Sequence, residues 1–123
     1  MTDARQMLGR IGEDLAVERL ESLGYAIVER RYRTDRGEID IVARDGDTLV
    51  FVEVKAKESE EFGTAAEAVT RRKQLQVISV AVEYLMRHRL TGCPCRFDVV
   101  AIDDALSDRP EVTVYPAAFD ATG

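Results

Sequence analysis

Between Tyr25 and Lys57 apolar and polar positions alternate, and on either side they recur at helical spacing. Leu8, Ile11, Leu15 and Leu23, widened by Ala16 and Leu20, make one stripe, so a helix is predicted from Asp3 as cap to about Leu23, with Gly24 as its stop. Tyr25 to Tyr32 reads as a first strand. Arg36 to Lys57 reads as a β-hairpin, two β-type runs joined at Asp45-Gly46-Asp47. Strand alternation places Val50, Val52 and Val54 on one face and Phe51, Glu53 and Lys55 on the other. In the preceding strand Ile39, Ile41 and Ala43 oppose Glu38, Asp40 and Val42. After a charged loop from Glu58 to Gly63, Thr64-Ala65-Ala66-Glu67 matches a capping box. It predicts a long second helix to about His88, with Val69, Val77, Val80, Ala81, Tyr84 and Leu85 facing the core. Thr91-Gly92-Cys93-Pro94 breaks it. Arg96 to Asp103 alternates as a fourth strand and Val112 to Tyr115 as a short fifth. The expected organisation is one domain over residues 1–116 and a flexible tail over 117–123. The order α-β-β-β-α-β-β defines an α/β fold, a mixed sheet flanked by helices.

Composition narrows the class. In 123 residues, 46% hydrophobic and 33% charged describes a globular chain rather than a disordered one. No run reaches the roughly 18 apolar residues of a membrane-spanning helix, and the first residues hold no signal-peptide core, so a cytoplasmic protein is expected. Cys93 and Cys95, with His88, fall short of a zinc set and read as reduced structural thiols. The net charge of −6 argues against a general nucleic-acid binder. The bases are nonetheless clustered, at Arg30-Arg31-Tyr32-Arg33 with Arg36, at Arg71-Arg72-Lys73 and at Arg87-His88-Arg89. A basic rim around an acidic site fits that pattern, and so does a set of solvated faces. Phosphate-loop, zinc-protease, serine-elbow and dinucleotide signatures are absent, and a single His leaves nucleophilic schemes without a base.

The candidate chemistry lies in the hairpin. Pairing its strands brings Asp40, Glu53 and Lys55 onto one face: two carboxylates and an ammonium, the ingredients of a hard-metal site with a positioned lysine. An E-x-K pair on a half-exposed strand is ordinarily a weak ion pair in water. Here it stands in the most apolar run of the chain, which should be a central strand. Glu13 stands four residues after Gly9 and three before Ala16, bordering the buried face of the first helix. Gly9 and Gly12 cost roughly 1 kcal/mol each relative to Ala in a helix, which close packing or approach to a ligand would justify. Lys73 lies four residues from Val69 and from Val77. It can rest its stem on that stripe and bring its head to the sheet edge, as surface lysines commonly do.

Gly37-Glu38-Ile39-Asp40-Ile41-Val42-Ala43, Phe51-Val52-Glu53-Val54-Lys55 and Arg96-Phe97-Asp98-Val99-Val100, with Gly12-Glu13 and Lys73, closely resemble the YraN family of small bacterial proteins. That family is similar to the restriction-endonuclease-like PD-(D/E)XK superfamily and to archaeal Holliday-junction resolvases. The resemblance implies a restriction-endonuclease-like α-β-β-β-α-β core. Asp40 and Glu53 would bind Mg²⁺ (or Mn²⁺) together with the Val54 carbonyl, and Lys55 would serve the attacking water. Glu13 falls where resolvase-like members carry a further acidic residue at the metal. Arg30, Arg31, Arg33 and Lys73 would hold flanking phosphates, as would Lys57, which stands where an E-V-K-x-R run has Arg and so offers a point charge in place of a fork. The implied partner is DNA, perhaps branched, with a homodimer if the target is a junction. Two functions follow: a metal-dependent nuclease, or a non-catalytic module that keeps the fold and binds nucleic acid or protein.

Overall fold

The computed structural model describes residues 3–57 and 69–121. Helix α1 (Ala4–Ser22) opens on Asp3, whose carboxylate accepts from the Arg5 N–H, and closes at Leu23. Gly24 then takes a left-handed φ of +92°, letting the Tyr25 N–H return to the Leu20 carbonyl. Strands β1 (Ala26–Thr34), β2 (Gly37–Asp45) and β3 (Thr48–Ala56) pair antiparallel in sequence. Helix α2 (Arg71–Arg87) carries the chain back so that β4 (Cys95–Asp103) lies parallel to β3, and β5 (Glu111–Phe119) closes the sheet antiparallel to β4. The sheet order is β1-β2-β3-β4-β5, so β3 is central. This α/β architecture, a five-stranded mixed sheet with two helices, is consistent with a restriction-endonuclease-like core.

Each face of the sheet carries one helix. Ile41, Ala43, Val50, Val52, Val100 and Ile102 pack with Ala16 and Leu20 of α1. Leu49, Phe51 and Val42 pack with Val77, Val80, Ala81 and Tyr84 of α2. β3 is therefore buried on both sides, as its unbroken apolar run requires. The hairpin turn is Gly46-Asp47, with Gly46 at φ +61°. Among the described residues no helix is long and apolar enough to cross a membrane.

Three expectations need correction. A second helix running unbroken from Thr64 does not form. Thr70 is extended (φ −73°, ψ 161°), and its hydroxyl accepts from the Lys73 N–H as the cap of a helix starting at Arg71. The capping box at Thr64–Glu67 and the Glu58–Gly63 loop lie outside the described residues. The last strand does not stop at Tyr115 but runs to Phe119. Ala117 turns into a left-handed φ of +50° and donates its N–H to Asp98 Oδ1 at 2.9 Å, after which Phe119 stacks on Phe97. Finally, Ile39 and Ile41 do not share a face: Ile39 packs on the α2 side, Ile41 on the α1 side. The alternation breaks at the residue between them, Asp40.

At Gly12 helix α1 lies close against the sheet. A Cβ there would lie 2.6 Å from the Ala56 Cβ. Gly12→Ala is therefore expected to destabilise by about 1–3 kcal/mol through overpacking, despite its better helix propensity. Urea unfolding measures this, and an unchanged midpoint would show that α1 moves aside freely.

Candidate active site

The break in β2 is matched in β1. Arg30 stands opposite Ile41 and Tyr32 opposite Ile39, which leaves Arg31 facing Asp40 at the point where both strands turn over. Arg31 adopts a left-handed φ of +55°, costing about 1–2 kcal/mol for a side chain of this size. Adjacent strand residues normally point to opposite faces. Here both reach Glu13 on α1: Arg30 Nε donates to Oε1 at 2.7 Å and Arg31 Nε to Oε2 at 3.0 Å. Glu13 is only 6% exposed, so the two guanidinium groups compensate a carboxylate that burial would otherwise penalise. Arg30 also holds Asp14 at 2.7 Å, and Arg33 holds Glu38 at 2.6 Å.

Past the Ile41–Val52 pair the ladder between β2 and β3 has no further partners. The Asp40 side chain takes its place, Oδ2 accepting from the Val54 N–H at 2.8 Å. That bond seats Asp40 beside Glu53. Glu53 is 5% exposed, and its Oε2 has no hydrogen-bond partner among the described residues. Its nearest cation is Lys73 Nζ at 3.8 Å, outside hydrogen-bond reach. Lys73 instead donates to Gln76 at 3.2 Å. Burial, a hydrogen bond shared with Asp40 and the charge of Asp40 together push the Glu53 carboxyl up to about 9, against the opposing pull of Lys73 and Lys55. At neutral pH Glu53 keeps its proton. Lys55, two residues on, is exposed.

A polar cavity of about 370 Å³ opens between α1 and the turned-over segment. Gln6, Gly9, Arg10 and Glu13 line it from the helix; Arg31, Arg33 and Asp40 face them from the sheet, with Val54 at its floor. A second cleft of similar size, lined by Arg33, Arg36 and Lys73, lies across the β1–β2 turn. The structure thus brings together Asp40, Glu53, Val54 and Lys73, and places Glu13, Arg31 and Arg33 on the same cavity as Asp40. Both oxygens of Glu13 are taken by arginines, and no group of three or more Asp, Glu, His or Cys side chains among the described residues is arranged to hold a metal. Glu13 therefore enters the site as the anchor of Arg30 and Arg31. Cys93 and Cys95 carry free thiols at the opposite end of β3 and β4.

Sequence reasoning passed over Arg10 and Gln6, although they stand three and seven residues before Glu13 and so share its helix face. It also passed over the purpose of Asp98. Fully buried, Asp98 accepts from Arg96 Nε (3.0 Å), the Tyr25 hydroxyl (3.1 Å) and the Ala117 N–H (2.9 Å). Arg96 reaches on to Asp45 at 2.9 Å. No local signal marks a partner 73 residues away.

The class defined by fold and site is an α/β protein in which a buried glutamate on the central strand stands beside an aspartate of the neighbouring strand and a basic cleft. The sequence profile of the family described as "Uncharacterised protein family UPF0102" matches residues 12–102, and the chain belongs to that family. It is 47% identical to a UPF0102 protein of Pelotomaculum thermopropionicum, over 83% of this chain and 85% of the relative. A UPF0102 protein of Moorella thermoacetica is 48% identical with the same coverage. One of Geobacter sulfurreducens is 44% identical over 94% of this chain and 90% of its own length. This is the family that the sequence motifs resemble.

Proposed function

We propose that this chain is a divalent-metal-dependent nuclease of the PD-(D/E)XK kind that hydrolyses DNA phosphodiester bonds. One observation carries the reading: a half-buried Asp40 stands beside the buried Glu53, whose Oε2 has no hydrogen-bond partner among the described residues. Such a pair is poorly suited to stabilising a fold and well suited to a small oxygen-seeking cation, which would compensate the second negative charge. Asp40, Glu53 and the Val54 carbonyl fit that role for Mg²⁺ or Mn²⁺. When bound, the ion would acidify a water and offset charge on the reacting phosphate. The chain's own residues do the rest. The Val54 N–H fixes the orientation of Asp40. To hold the ion Glu53 would have to be ionised, so cation affinity is expected to rise with pH toward 9. Lys55, exposed two residues beyond Glu53, orients the attacking water or stabilises the developing oxyanion. Lys73 screens Glu53, and with Lys57 it would meet the flanking phosphates, while Arg33 stays with Glu38. Arg30 and Arg31 stay with Glu13 and shape the cavity wall.

The test is cleavage of linear, flapped and four-way-junction DNA in Mg²⁺ and in Mn²⁺. Lys55→Ala is expected to lose cleavage while keeping DNA affinity within a few-fold, since the lysine acts in the transition state. A junction preference would predict a homodimer, checked by light scattering. A wild-type protein with bound metal that leaves every substrate uncut establishes the other reading, a binding module. The commitment of Arg30, Arg31 and Arg33 to acidic partners is the observation that favours that alternative.

A further inference from the structure

We infer that Gly9 and Arg10 of α1 form a phosphate-binding subsite, the seat of a nucleic-acid backbone phosphate next to the carboxylate pair. The inference rests on the nuclic-acid reading above and names the residues that first take hold of the substrate. Arg30, Arg31 and Arg33 are each ion-paired at 2.6–3.0 Å. Drawing Arg30 and Arg31 onto a phosphate would strip a buried carboxylate of its partners, which opposes binding. Arg10 lines the same cavity and has no hydrogen-bond or ion-pair partner among the described residues. An entering phosphodiester can take the forked guanidinium of Arg10 in two hydrogen bonds without breaking any existing pair.

Gly9 supplies the second observation. Glycine inside a helix is unfavourable, and at Gly12 close contact with Ala56 accounts for it. At Gly9 no such contact exists among the described residues: a Cβ there would meet none of them within 4 Å. Packing therefore does not require glycine at this position, which borders the cavity one residue before Arg10. A bare helix surface lets the sugar-phosphate chain lie close to the backbone, at the point where Arg10 can close over it. Gln6, one turn earlier on the same face, offers a neutral donor further along the path.

The experiment is equilibrium binding of a fluorescently labelled flapped duplex by anisotropy, across a salt series, in Ca²⁺ or with no metal so that no cleavage intervenes. Arg10→Ala is expected to weaken binding about tenfold and to reduce the slope of log affinity against log salt by about 1. Arg109→Ala, which removes the same charge from the exposed β4–β5 turn, should change affinity less than twofold. Gly9→Leu should also weaken binding while leaving the unfolding midpoint unchanged or raised, because leucine favours the helix and only the open space is lost. Arg10→Ala binding as well as wild type, or no worse than Arg109→Ala, overturns the subsite and leaves the nuclease reading intact. A wild type that binds no DNA at low salt overturns both. Weakening by Gly9→Leu only in step with lost stability overturns the role of Gly9.

Discussion

Glu53→Gln is expected to raise thermal stability at pH 8 in metal-free buffer and to abolish most of the stabilisation that Mg²⁺ gives the wild type. The sign follows from the proton. In the folded chain the Glu53 carboxyl is held up to about 9 by burial and by Asp40, against about 4.3 in an unfolded chain. Across that window the folded state keeps a proton that the unfolded state has released. The contribution of Glu53 to stability is therefore greatest below about pH 4, falls as pH rises, and levels off above 9. Each pKa unit is worth about 1.4 kcal/mol, so the loss amounts to several kcal/mol by pH 8. Glutamine has the shape of the protonated acid and can donate to Asp40 as that acid does, but it has no proton to lose. The variant's stability should be flat over the same range, apart from other groups common to both proteins. Mg²⁺ should narrow the gap, since a ligand at a hundredfold excess over its dissociation constant adds about 2.7 kcal/mol to the wild type alone. Thermal unfolding from pH 4 to pH 9, with and without Mg²⁺, measures both effects. Parallel pH profiles would show that Glu53 is not the titrating group, and equal Mg²⁺ shifts would remove the acidic pair as the cation site.

The largest effect on the fold is expected at Asp98, where Asp98→Ala should destabilise by about 3–5 kcal/mol. Its carboxylate is fully buried and satisfies donors from three places in the chain: Tyr25 at the α1–β1 junction, Arg96 on its own strand, and Ala117 on β5. Burial and the Asp98 charge push the Tyr25 phenol up, so it stays a donor. Removing the carboxylate leaves the Arg96 guanidinium, which also contacts Tyr25 at 2.6 Å, short of its main partner in a poorly solvated position. It also frees the Ala117 N–H that holds the end of β5. Asp98→Asn keeps one acceptor and should lose about half as much. Urea denaturation followed by far-ultraviolet dichroism reads both variants, and amide exchange at residues 117–119 should accelerate even in the milder one. A loss under about 1 kcal/mol for Asp98→Ala would mean the cluster is solvated and contributes little.

Much of this architecture was legible in the chain because burial periodicity is a local property. The run Leu49–Val54 announces a strand covered on both faces, and the structure covers it with α1 and α2. Asp3 and Gly24 bracket the first helix because capping and left-handed turns depend on a few neighbouring residues. The same locality misled at Thr64–Glu67, where a sound capping pattern does not open the helix that follows. Thr70 is a second capping residue, and only its backbone conformation shows where that helix begins. A tail is expected from residue 117, yet the strand runs on to Phe119, and Asp98, 19 residues from Ala117, accepts the Ala117 N–H.

The sequence by itself determined the order of elements, the two apolar faces of the sheet, and the presence of two acids and a lysine on neighbouring strands. It did so because side-chain period and turn chemistry are written in adjacent residues. Only the tertiary structure decided what those groups do to one another. Arg31 and Asp40 turn over together across a strand pair, which sends Arg30 and Arg31 to the same carboxylate and seats Asp40 on the Val54 N–H. Glu53 favours its protonated form because of the burial and charge around it, and among the described residues Arg10 is left uncommitted while Glu13 is already paired. Electrostatic energies depend on distance and solvent exposure in three dimensions, and neither quantity can be read from spacing along a chain.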